Sequence, residues 1–171
     1  MRKSFCFFIA LILVTLCGCS NGGTAVTAIS KGISFNAEIK CENENYEFKV
    51  KIPENSNMIL ETVSPKKIAG SVFKISNSGA TFVCGEIEHK TSLESLPKSS
   101  PVGFIYSVFS DIASRPVEAE FENDEYFITG ETANYDYKLI LGNTGLPIKI
   151  YDNKNNITAI IKEASIDTLV F

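Results

Sequence analysis

The chain has 171 residues, with 16 Lys and Arg against 20 Asp and Glu and a formal net charge of −4. That length fits one domain with a sizeable core. Acidic residues are spread along it and no basic cluster interrupts them, which argues against a nucleic-acid surface and against electrostatic capture of anionic lipid head groups.

At the N-terminus Arg2 and Lys3 precede an apolar run from Phe5 to Leu16, which closes on Leu16-Cys17-Gly18-Cys19. The run is shorter than the ~20 residues that a spanning helix needs, and its parts are those of an export signal. The segment resembles the bacterial lipoprotein signal peptide, whose lipobox ends in the cysteine that receives a diacylglyceryl group. By that resemblance residues 1–18 are removed and Cys19 becomes the lipid attachment site. The mature chain then sits on the extracytoplasmic face of the cell membrane, or on an outer membrane where the organism has one. Cys17 departs from the family pattern, but cleavage before it would set bulky Leu16 where a small residue belongs. Two acyl chains, at roughly 0.8 kcal/mol per buried CH₂, anchor a protein without a spanning helix. Loss of Arg2 and Lys3 with the leader takes the net charge from −4 to −6.

Residues 19–32 are small, polar and glycine-rich, as a flexible stalk should be, and a single domain is expected over 33–171. Phe35, Ala37, Ile39 and Cys41 alternate with polar residues, and Tyr46, Phe48, Val50 and Ile52 do so again after a turn at 42–45. This period of two predicts a β-hairpin. Further strands are predicted at 58–64, ended by Pro65, at 69–75, and at 81–90. Ser99-Ser100-Pro101 then supplies a capping hydroxyl and a proline at the first helical position, and Val102, Ile105, Val108 or Phe109, and Ile112 follow at helical spacing. A helix is predicted over 101–114.

From Val117 strands resume at 125–130, 135–141, 147–151 and 157–163, joined by turns short enough to force antiparallel neighbours. The expected class is α+β: a strongly curved antiparallel sheet with one central helix covering its concave face. An exported chain with opening hairpins, a strand running into a proline, a Pro-initiated apolar helix and a closing meander that contains Gly145-Leu146-Pro147-Ile148-Lys149-Ile150 resembles the LolA/LolB-like superfamily of lipoprotein carriers. That resemblance implies an unclosed half-barrel whose apolar concave face holds acyl chains. The glycine-rich stretch before Ser34 departs from the family, because it supplies no long N-terminal helix.

Residues that carry chemistry are scarce. His89 is the only histidine, and beside Glu86 and Glu88 it reads as a solvated side chain. Zinc sites need three or four ligands, which one histidine and two distant cysteines do not provide. No Gly-x-Ser-x-Gly elbow, Walker loop or dinucleotide fingerprint is present, so neither a catalytic site, nor a metal, nor a cofactor is expected. The acidic run Glu118, Glu120, Glu122, Asp124 and Glu125 reads as a solvated turn. Of five cysteines, Cys6 and Cys17 leave with the leader and Cys19 takes the lipid. Cys41 and Cys84 then either close one disulfide, over a loop of about 40 residues, or stay as small buried hydrophobes.

Twelve Phe and six Tyr without tryptophan are suited to the core of a β protein. Phe35, Phe48, Phe73, Phe104 and Phe109 are also candidates to line an apolar cavity. Two functions follow for a chain with no catalytic signature: a lipoprotein that carries a lipid or apolar ligand in a groove between sheet and helix, or a structural lipoprotein with a solid core that docks an envelope protein.

Overall fold

In the computed structural model, residues 32–54 and 57–167 are described, so the leader and almost all of the expected stalk lie outside the described residues. The alternation read from the sequence forms β1 (Ile33–Cys41) and β2 (Glu44–Ile52), each with one buried and one wet face. They are followed by β3 (Met58–Ser64), β4 (Val72–Ser76), β5 (Gly79–Cys84) and β6 (Ile87–Thr91). A short 3₁₀ turn at Leu93–Ser95 leads to the helix α1 (Pro101–Ser114). The chain returns through β7 (Glu120–Glu122), β8 (Glu125–Glu131), β9 (Asp136–Leu141), β10 (Pro147–Asp152) and β11 (Ile157–Ile166).

All eleven strands join one antiparallel sheet in the order β6-β5-β4-β3-β2-β1-β11-β10-β9-β8-β7. Two meanders are thus sewn together at the centre by β1 and β11, with Ala37 opposite Ile161 and Cys41 opposite Ile157. The core lies between the centre of the sheet and α1, where Ile33, Phe35, Ile39, Leu139, Ile150 and Ala159 meet the apolar face of the helix.

The α+β class and the covering helix are as read from the sequence; the strongly curved half-barrel is not. The sheet runs open from β6 to β7, neither strongly curved nor closed. Short turns fix which strands are neighbours and their direction, but they carry no instruction about curling. Curling needs repeated bulges or glycine kinks, and the described ladders break register at three places, near Phe35, Phe48 and Ile148. The predicted fifth strand also divides into β5 and β6, because Gly85-Glu86 makes a two-residue turn with Gly85 at φ 58°.

Candidate functional site

The helix–sheet interface was the expected place for a ligand. Ser100 caps α1 by accepting the Gly103 N–H at 3.2 Å, and Pro101 begins the first turn. Val102, Phe104, Ile105, Val108, Phe109 and Ile112 point to the sheet and are buried. Phe109 meets Phe35 with ring centroids 5.3 Å apart, and Phe104 meets Tyr135 at the same separation. Phe48 lies in the same core, with its ring 6.1 Å from that of Tyr46. Phe73 on β4, half-buried and opposite Leu60, packs against the same core, its ring 5.0 Å from Phe82. All five phenylalanines named from the sequence therefore belong to one core, four of them buried in it and Phe73 half-buried against it.

Two polar latches hold α1 in place. Tyr106 donates its hydroxyl to Asn77 Oδ1 at 2.9 Å, reaching the β4–β5 turn. On the other side Asp111 Oδ2 accepts the Tyr137 hydroxyl at 2.6 Å and Arg115 Nε at 2.9 Å, and Arg115 also donates to the Thr129 carbonyl at 3.2 Å. Burial works to raise the Asp111 pKa, but hydrogen bonds from Arg115 and Tyr137 outweigh it and hold the carboxyl below its ordinary value. Burial, with the bond to Asp111, pushes the Tyr137 hydroxyl well above the usual tyrosine range. The Asp111–Arg115 spacing of four on a helix was visible in the sequence; the arrival of Tyr137 from β9 was not.

Gly130, opposite Tyr137 in the β8–β9 register, leaves room for this cluster. A Cβ there would lie 2.5 Å from Tyr137 Cζ and 2.6 Å from Arg115 Nη2. A second carboxylate, Asp152, is buried outright and organises the loop after β10 by accepting the N–H groups of Asp136 and Lys154 at 3.2 and 2.9 Å and a bond from the Asn155 amide. All these groups brace the fold, and none faces an open pocket with a free nucleophile.

Three of the hollows on the surface of the described residues are large enough to consider as sites. One of about 510 Å³ lies across β3 to β6, lined by Met58, Ile75, Ala80 and Lys74, and one of about 390 Å³ lies over β1 to β3. The third, about 160 Å³, sits beside the first turns of α1 against Leu96, Asn134 and Tyr135. None of the three separates the buried face of α1 from the sheet.

Cys41 and Cys84 are both free. β1 and β5 are four strand spacings apart in the sheet, about 19 Å, far beyond the reach of a disulfide. The Cys41 thiol donates to the Ser99 carbonyl at 2.9 Å, and burial, followed by Glu42 and Glu44, pushes its pKa up, away from a reactive thiolate. His89 lies on exposed β6 opposite Phe82. The acidic run forms the β7–β8 hairpin and the residues before it, turning at Asn123 and Asp124 with φ 52° and 63°. Among the described residues no three His, Cys, Asp or Glu come together as metal ligands, and no helix is long and apolar enough to cross a membrane. Cys19 lies outside the described residues.

No family model and no curated protein matches the sequence. Some solved structures are similar to this chain. An uncharacterized conserved protein from Thermus thermophilus superposes with a TM-score of 0.52 at 10 % identity, over 86 % of this chain and 85 % of its own. A LolA superfamily protein from Nitrosomonas europaea gives 0.43 at 11 % identity, over 86 % and 94 %. The Mycobacterium tuberculosis lipoprotein LppX gives 0.42 at 8 %, over 85 % and 95 %. At such identities the likeness is one of fold alone.

Proposed function

We propose that this chain is a non-enzymatic lipoprotein of the bacterial cell envelope, held at the extracytoplasmic membrane face by a diacylglyceryl group on Cys19. Residues 1–18 are its leader, 19–32 its stalk, and 33–171 one domain that works as an interaction module with a solid core. The observation that carries this reading is the packing under α1. Phe104, Ile105, Val108 and Ile112 are each at most 1 % exposed, and Phe109 is at 2 %. The volume in which a carrier would hold acyl chains is filled by the protein's own side chains. Meanwhile both sheet edges and the large apolar side chains Ile87, Phe121, Ile148 and Ile160 are exposed, which suits a surface that meets another protein.

The test has two arms. Metabolic labelling with a fatty-acid analogue should mark the full chain, and Cys19→Ala should abolish both the label and recovery in the membrane fraction. Native mass spectrometry of the full chain, released from detergent, should show no lipid beyond the covalent one. A stoichiometric second lipid would reinstate the carrier, and an unlabelled, soluble wild type would refute the anchor.

A further inference from the structure

Among the described residues β6 and β7 are the unpaired edges of the sheet, and they differ in kind. At one end β7 offers Glu120-Phe121-Glu122, so two copies laid edge to edge would set acid against acid. At the other end β6 reads Ile87-Glu88-His89-Lys90-Thr91, and four of its five residues are exposed, Ile87 at 69 %.

The β5–β6 register decides which backbone groups of β6 face outward. Cys84 and Ile87 flank the two-residue turn, Phe82 lies opposite His89, and Ala80 opposite Thr91. In such a hairpin the flanking pair exchanges hydrogen bonds, and exchanging pairs alternate with non-exchanging ones along the ladder. Ile87, His89 and Thr91 therefore spend their backbone groups on β5, and the N–H and C=O of Glu88 and Lys90 point to the open edge. The two residues with free backbone groups are one acid and one base.

We propose that β6 pairs with β6 of a second copy of this chain, antiparallel about a two-fold axis through His89. Glu88 of each copy then faces Lys90 of the other, joined by backbone bonds and by side-chain charge, while Ile87 lies opposite Thr91. Charge also fixes the register, because sliding by two residues sets Glu88 against Glu88 or Lys90 against Lys90. In the single chain Lys90 Nζ lies 3.2 Å from Glu88 Oε1, with side chains 75 % and 55 % exposed. Pairing exchanges these two ion pairs, one within each copy, for two between copies.

Two five-residue strands bury less than the ~1,000 Å² of a stable interface. The pairing therefore draws on the local concentration that the proposed Cys19 anchor provides, and in that respect it rests on the reading above.

Cysteine trapping in the full-length chain, in membranes of the expressing bacterium under mild oxidation, tests it. His89→Cys sits on the axis in a pair with Cα atoms about 4.5 Å apart, within disulfide range, and should yield a disulfide-linked dimer absent from the parent chain. Ile87→Cys and Thr91→Cys should each fail alone, because like residues lie about 13 Å apart in this register, yet cross-link when co-expressed. Adding Lys90→Glu to His89→Cys should remove the dimer. Co-expression of that chain with one carrying Glu88→Lys and His89→Cys should restore it, a result that misfolding does not produce. Equal cross-linking at 87, 89 and 91, or none at 89 in membrane-bound protein, overturns the pairing and leaves the anchor standing. A chain recovered as soluble overturns the anchor, and the same pattern is then read on the purified full chain at high concentration.

Discussion

Truncation of Phe109 to alanine measures directly whether the space under α1 is filled. The side chain is 2 % exposed and its ring centroid lies 5.3 Å from that of Phe35. A buried Phe covers about 150–250 Å², so removing the ring forfeits about 4 kcal/mol at about 25 cal/mol per Å². Large-to-small core substitutions of this type cost about 3–5 kcal/mol once the residual cavity is included. Wild type and variant would be unfolded in urea and followed by far-ultraviolet circular dichroism and by tyrosine fluorescence, which six Tyr and no Trp leave uncontaminated. With a slope of about 2 kcal/mol per molar, the midpoint should fall by about 2 M at unchanged slope. Phe121→Ala, at a 59 % exposed position, is the control and should shift stability by at most about 0.5 kcal/mol. A loss below about 1 kcal/mol for Phe109→Ala would refute the filled interface, because it would mean that the ring already borders empty space.

Three further predictions concern the latch at the end of α1 and the tyrosines of the fold. The Asp111 pKa is lower folded than unfolded, so its contribution is present above the unfolded carboxylate range and is lost as pH falls through the folded value; Asp111→Asn should therefore weaken the protein at pH 7 and flatten its acid unfolding curve, read by urea midpoints from pH 7 to 3. Tyr46 and Tyr135 are pushed up to about 12, the first mainly by its bond to Glu44 and the second mainly by burial, and Tyr137 goes higher still. A group raised in the folded state stabilises fully below its unfolded pKa, so stability should decline from about pH 10 upward. Absorbance titration of phenolate should show these three of six tyrosines ionising late; six ionising together near 10 in folded protein would contradict the burial. Gly130→Ala should cost about 1–3 kcal/mol by forcing Tyr137 and Arg115 apart, with a smaller loss in a Tyr137→Phe background.

Local elements were legible because each has its own period. The helix at 101–114 was marked by Ser100, Pro101 and apolar spacing, and it forms with that cap. β1 to β3 likewise follow from alternation alone. The break at Gly85-Glu86 was hidden because β5 and β6 show little contrast between their two faces, four of the five β6 residues being exposed, so the phase shift that a two-residue turn introduces left no mark. Curvature was not legible, since it depends on how strands rotate relative to one another and not on which faces are apolar. Of the aromatic set, alternation marked Phe35 and Phe48 for the inner face and helical spacing offered Phe109 as one of two choices, and all three are buried, but neither pattern says whether they pack on each other or border a void. The Tyr137–Asp111–Arg115 cluster joins α1 to β9 across 26 residues of chain, and no spacing rule reaches that far.

The place of β11 also bears on when this protein becomes itself. Among the described residues the strand latest in the chain is not an edge but the seam, lying between β1 and β10 and joining the two meanders. Until it emerges, β1 has no neighbour on one side and the two halves of the sheet have no shared hydrogen bonds. Contacts that close so late in the chain make for slow folding. For a polypeptide proposed to cross a membrane before it matures, this ordering is a timer: the two halves of the sheet are joined only once β11 has arrived.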